Sequence, residues 1–264
     1  MQEMFRIIPS FPQFAARWKT AQFTETKATK IITPNMFITS EDESLLQEAI
    51  QELTEEILAN NLVRTSGTCP CINLSLRRQR NFAEEFRRMY ITLKNNAGFC
   101  NDFKGIVAVD LTDWASGVAD DDLDAVLSYL KDTEQDRYYI FYAATEYPGK
   151  LKSLLQYYFT IEMHQLHLEK ASDLLQFAVS KLKTEYDIEL DGKAEVGLMQ
   201  LIKAYIGTEN YRGVGSINSM CRDMAFLLMA QGSRTMDAKF LSQYKQNIGN
   251  KESKKEKPAI GLIK

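Results

Sequence analysis

The sequence predicts an α/β fold, a five-stranded parallel sheet sandwiched by helices and followed by a small all-α domain. Three observations carry that prediction. Up to about residue 165, short apolar runs alternate with amphipathic helical stretches, the pattern of strand-helix units laid into a parallel sheet. One run, Gly105-Ile106-Val107-Ala108-Val109-Asp110, stays apolar until its final carboxylate, as a strand buried on both faces does. After residue 168 the strand pattern stops and helical periodicity alone continues.

In chain order, residues 1–34 form an aromatic-rich N-terminal segment with a short helix expected from Phe14 to Lys19. Met36-Phe37-Ile38 is the core of the first strand. The helix after it, expected over 41–59, repeats Leu45, Leu46, Ala49, Ile50, Leu53, Ile57 and Leu58 at helical spacing, and Ser40 with Glu43 has the spacing of a capping box. Cys71 to Leu76 alternates as a second strand, and the helix after it carries Phe82, Phe86, Met89 and Leu93 on one face. Arg77, Arg78, Arg80, Arg87 and Arg88 decorate this unit, but Glu84 and Glu85 sit among them, so they read as a solvated face.

The third strand ends at Asp110. The acidic stretch Asp120 to Asp124 then opens a helix, where carboxylates favour the positive end of the dipole. Tyr138 to Ala143 is a fourth strand and Phe159 to Met163 a fifth, with a short helix around Lys150 to Gln156 between them. The helical domain is marked by Leu174, Leu175, Ala178, Val179 and Leu182, then Val196, Met199, Ile202 and Tyr205, then Val214, Ile217, Cys221, Met224 and Leu228. A last short helix is expected near Ala238 to Tyr244. From Asn250 to Lys257 the chain is too charged to pack and is expected to be disordered, and it runs into the apolar segment Pro258 to Ile263. The expected divisions are therefore 1–34, an α/β domain over 35–167, a helical domain over 168–246 and a tail over 247–264.

Composition bounds the function. With 45% apolar and 25% charged residues among 264, the chain builds a sizeable core, and a formal charge of -3 gives no global pull onto nucleic acid or anionic lipid. No apolar stretch approaches the roughly 20 residues needed to span a bilayer, and the start lacks a signal-peptide layout, so the chain reads as cytoplasmic. Cys69 and Cys71 flank Pro70, but His164 and His167 lie far away in sequence, so no metal site is assigned. No Gly-x-Ser-x-Gly elbow, His-Glu-x-x-His helix or Cys/His nucleophile setting is present.

The order of these parts resembles the AAA+ ATPase superfamily from about residue 30 to 245. Ile106 to Asp110 is similar to its Walker B strand, whose Asp helps hold magnesium; the resemblance then calls for a catalytic Glu, and Leu111 stands there. Ile140 to Glu146 resembles the sensor-1 strand, with Glu146 in place of a polar amide. Tyr211-Arg212-Gly213-Val214-Gly215-Ser216-Ile217 is similar to sensor 2, which implies that Arg212 reaches a nucleotide phosphate. The phosphate-binding loop departs from the pattern. Thr39-Ser40-Glu41-Asp42-Glu43-Ser44 has no Gly whose backbone could wrap phosphates and no Lys to neutralise them, and three carboxylates stand in the way. The stretch Leu154 to Tyr158 also lacks the arginine finger of the family.

The resemblance thus implies a degenerate nucleotide site at Ser40, Glu41, Asp42, Glu43, Asp110, Glu146 and Arg212, with no catalytic residue and no cofactor. The expected function is that of a non-hydrolysing scaffold or adaptor subunit, whose partners are copies of itself or an active AAA+-type subunit, with neither nucleic acid nor membrane. Two alternatives compete with it: a divergent ATPase using Asp110, Glu146 and Arg212, and a nucleic-acid-handling module of the clamp-loader or initiator kind resting on Arg77 to Arg88.

Overall fold

The computed structural model describes residues 5–23, 34–65, 71–75, 104–115, 121–132 and 137–255. Two compact units are present: one spans Arg6–His167, and the other joins Met1–Phe5 to Leu168–Lys264.

The first unit holds strands β1 (Asn35–Thr39), β2 (Cys71–Ser75), β3 (Gly105–Asp110), β4 (Arg137–Ala143) and β5 (Ile161–Gln165). They pair in the order β2-β3-β4-β1-β5, every pair parallel. β1 lies between β4 and β5, with Phe37 opposite both Phe141 and Met163. Its five residues are all buried, with an apolar centre, Met36-Phe37-Ile38, between Asn35 and Thr39.

Helices α1 (Phe11–Phe23), α2 (Glu43–Ala59), α3 (Thr112–Ala115), α4 (Asp121–Asp132) and α5 (Gly149–Tyr158) complete this unit. On one face of the sheet Phe37, Val107, Val109 and Phe141 pack against Leu127 of α4 and Leu155 of α5 in one core. Phe159 closes it, its ring 4.9 Å from Phe141 and 5.7 Å from Tyr139. The alternating side chains Met36, Ile38, Ile106 and Ile140 are fully buried on the opposite face, where α2 lies against β4. Each such side chain contributes about 1.5–3 kcal/mol of burial free energy.

The N-terminal residues also pack here. The backbone N–H of Ile7 donates to both carboxylate oxygens of Glu52 at 3.1 Å, Arg6 pairs with Glu56, and Lys19 Nζ donates to Asn60 Oδ1 at 2.6 Å. The Trp18 ring lies tilted against that of Tyr138, with centroids 4.8 Å apart. Helix α1 is longer than the 14–19 span expected, because Phe11, Phe14, Ala15 and Trp18 bury one continuous stripe.

The second unit contains α6 (Ala171–Tyr186), α7 (Gly192–Ile206), α8 (Val214–Ala230) and α9 (Ala238–Lys255). α6 packs against α7 and α8, and α9 against α7. Three expectations are corrected. The unit is not wholly helical: β6 (Glu189–Leu190) and β7 (Thr235–Met236) pair in parallel, each too short to leave a period in the sequence. On α7 the buried face is Ala194, Leu198, Leu201 and Ile202, and Val196 is exposed. That helix is apolar on most of its circumference, so spacing alone did not select the face. Finally, α9 continues from Ala238 through Lys255 and does not stop near Tyr244. A charged stretch lacks packing material, but with no Pro before Pro258 nothing in its backbone breaks a helix already begun.

The basic unit of Arg77 to Leu93, the acidic residue Asp120, Cys69 and the segment Pro258–Ile263 lie outside the described residues. Among the described residues no helix is long and apolar enough to cross a membrane.

Candidate functional site at the carboxyl end of the sheet

From β1 the chain crosses towards β2 on one side of the sheet, and from β4 it crosses towards β5 on the other. Neighbouring strands whose connections diverge open a crevice beyond their carboxyl ends, where open parallel sheets take ligands. Here that place is bounded by Thr39 and Ser40 after β1, Ala144 to Glu146 after β4, and Asp110 to Thr112 after β3, the other neighbour of β4.

The sheet ladder continues into these loops. Leu166 N–H donates to the Thr39 carbonyl at 2.8 Å, Ser40 N–H to Ala143 at 3.4 Å and Leu111 N–H to Tyr142 at 2.8 Å. Ser40 is therefore still part of the sheet edge and is not the helix cap. Asp42 is the N-cap of α2, with extended backbone (φ -89°, ψ 101°), and its Oδ1 accepts from the N–H groups of Ser44 at 2.9 Å and Leu45 at 3.1 Å. The capping box expected from Ser40 and Glu43 is thus corrected to an Asp42 cap with α2 starting at Glu43. Ser40 Oγ instead accepts from the Asp42 N–H at 3.2 Å, fixing the turn into the helix. Two amides at the positive end of α2 are held by the chain's own carboxylate.

Asp110, at the tip of β3, is engaged in the same way. Its Oδ1 accepts from the N–H of Thr112 at 3.0 Å and from the Thr112 hydroxyl at 2.6 Å. The Thr112 oxygen in turn accepts from the Ala144 N–H at 3.0 Å, linking the ends of β3 and β4. Leu111, between them, is fully buried in the apolar core. The sequence singled out Asp110 and Leu111 but gave Thr112 no role; the available signal was its hydroxyl two residues after a carboxylate at a strand end, a spacing that favours a local side-chain turn.

Glu146 borders the same rim. Its carbonyl accepts from Gln165 Nε2 at 3.3 Å. The exposed Tyr147 hydroxyl has its pKa pushed up, foremost by the charge of Glu146 and to a smaller degree by Glu41. Glu41 and Glu146 therefore act on one phenol, and the rim is an acidic surface.

Arg212 belongs to the helical unit, so the first unit gathers only Ser40, Glu41, Asp42, Glu43, Asp110 and Glu146. Its Nη1 donates to the carbonyls of Glu209 at 2.7 Å and Tyr211 at 3.0 Å, and its N–H donates to Ser216 Oγ at 2.7 Å. The motif does open a helix, α8, through Gly213 at φ 63°. The guanidinium is turned back onto its own loop.

A variant of Thermotoga maritima RuvB is similar in structure over 94% of this chain and 72% of its own length, at 12% identity and a TM-score of 0.52. A second variant of that protein matches 91% of this chain and 69% of its own, at 12% identity and 0.50. The fold is that of a AAA+ module. A Bacillus subtilis DNA clamp loader delta protein matches more loosely, at 12% identity and a TM-score of 0.43; the chain spans 61% of its length. No protein-family model and no curated protein matches this sequence. Within the AAA+ fold, the residues that resemble Walker B and sensor 1 stand at the carboxyl ends of β3 and β4, side by side, and those that resemble sensor 2 open α8.

Proposed function

We propose that this chain is a AAA+-like subunit that does not hydrolyse ATP and works through contacts with protein partners, either copies of itself or an active AAA+-type subunit. The observation that carries the reading is the start of α2, where Asp42 accepts the amides of Ser44 and Leu45 and the preceding loop holds neither Gly nor Lys. A triphosphate brought there meets carboxylates in place of free N–H donors and an ammonium group. Two further features point the same way. The Asp110 carboxylate is bound by Thr112, and the place after it is filled by buried Leu111, where a carboxylate base would be stripped of water.

The divergent-ATPase reading has Arg212 in its favour, because the side chain is exposed and its guanidinium acceptors among the described residues are loop carbonyls. Calorimetry of ATP with magnesium separates the two. Absence of heat and of any thermal shift at millimolar ligand supports the subunit reading; saturable binding together with phosphate release overturns it. Assembly is tested by light scattering and by capture of partners from the native cells, and a strict monomer of 30.2 kDa that captures nothing overturns that half.

A further inference from the structure

Helix α8 ends in seven consecutive apolar residues, Met224 to Ala230. A helix apolar on every side is expected to be covered on every side. Met224, Ala225 and Leu228 are buried, but Phe226 is 71% exposed, Leu227 41% and Met229 40%, so the outer face of the last two turns is open. An exposed phenylalanine with two partly exposed aliphatic neighbours makes a patch on the order of 300 Å². That is well short of the roughly 800 Å² each partner buries in a standard interface between globular surfaces. It fits a short apolar segment.

The chain carries such a segment. Beyond α9, which runs to Lys255, the sequence continues through Glu256 and Lys257 into Pro258-Ala259-Ile260-Gly261-Leu262-Ile263. α9 begins eight residues after α8 ends, and its 18 residues carry the chain about 27 Å along its axis. Ile260 follows Lys255 by five residues, a reach of at most ~17 Å. That reach is shorter than α9 itself, so Ile260 does not return to the start of α9, the end that follows α8 in the chain. The same patch on a second copy requires no such return.

We propose that Pro258–Ile263 of one copy docks on Phe226, Leu227 and Met229 of a second copy, with Ile260 and Leu262 as the inserted side chains. This is a head-to-tail contact between two different surfaces. It names the contact for self-assembly and so rests on the assembly reading above.

The test uses the full chain, its Phe226→Asp and Leu262→Asp variants, and a synthetic peptide of residues 257–264. The wild type gains mass with concentration above 30.2 kDa, both variants stay at that mass, and excess peptide returns the wild type to it. Labelled peptide binds the Leu262→Asp chain saturably, and Phe226→Asp weakens that binding at least tenfold. Three outcomes overturn the inference: variants that associate like the wild type, a peptide that does not bind, or a wild type that stays monomeric while its patch is protected by its own segment. In the first outcome the assembly reading survives without this contact; phosphate release from ATP overturns the non-hydrolysing reading and leaves the docking result unchanged.

Discussion

The hydroxyl of Thr112 lies 2.6 Å from Oδ1 of Asp110, so the carboxylate that ends the third strand is bound to its own chain two residues later. The same oxygen receives the Ala144 N–H, 32 residues away. One side chain thus ties the strand-end carboxylate to the loop that leaves the neighbouring strand. The bond is worth most as a structural link, because the amide it satisfies is part-buried in the loop just after the neighbouring strand.

Thr112→Val therefore destabilises the protein by about 1–3 kcal/mol, since the Ala144 amide loses its acceptor and the isosteric methyl cannot replace it. Thr112→Ser keeps the hydroxyl and stays close to the wild type. Urea unfolding of the three proteins checks this. A loss for Thr112→Ser larger than that for Thr112→Val would mean that the methyl group, and not the hydroxyl, is what matters.

Asp42→Ala costs about 1 kcal/mol, the usual loss for an N-cap whose carboxylate holds two amides. Asp42→Asn recovers most of that, because the amide oxygen still accepts. Glu43→Ala, which would break a capping box built on Ser40, changes little. Thermal unfolding ranks them, and a Glu43→Ala loss larger than that of Asp42→Ala would restore the capping box.

The sheet was legible because its central strands have apolar cores, β2 alternates, and Ile106 to Asp110 announced both a buried strand and a carboxylate at its tip. Boundaries were less legible for local reasons. The fifth strand begins at Ile161 and not at Phe159, because Phe159 ends α5 and turns its ring into the core beside Phe141. Ser40 and Asp42 both have side chains that cap helices; the choice fell to Asp42 because Ser40 N–H is still occupied by the sheet. The Thr112–Ala144 bond joins residues that only the β3–β4 register brings together, so no periodicity could have shown it. Arg212 was legible as a residue opening a helix, and its attachment to the Glu209 and Tyr211 carbonyls was not, since an Arg side chain can reach in many directions.

Glu52 gives the stability a pH dependence with a definite sign. Burial raises its pKa above 4.5, outweighing the Ile7 amide and the Arg6 charge, which lower it. A carboxyl group whose folded pKa is raised binds its proton more tightly in the native state, so stability falls as pH rises from the unfolded value through the folded one. Glu52→Gln keeps an oxygen for the Ile7 amide and removes the charge. Its stability relative to the wild type improves as pH rises from the unfolded value through the raised folded one. Denaturant midpoints across that range measure the gap, and a gap that is constant or narrows would refute the sign.

Replacing residues 40–43 with glycines and a Lys leaves ATP turnover at background. The exchange removes the Asp42 cap and supplies backbone donors and a cation, so millimolar ATP acquires something to bind. Turnover needs more than binding. The place after Asp110 is filled by Leu111, which is fully buried against the β3–β4 core, and the Asp110 carboxylate is still held by Thr112. Adding Leu111→Glu does not repair this, because the new carboxylate sits among apolar side chains and lowers stability before it can act on water. Phosphate release from the exchanged chain, with and without Leu111→Glu, is the measurement. A rise above background in the loop exchange alone would show that only the phosphate loop had been missing.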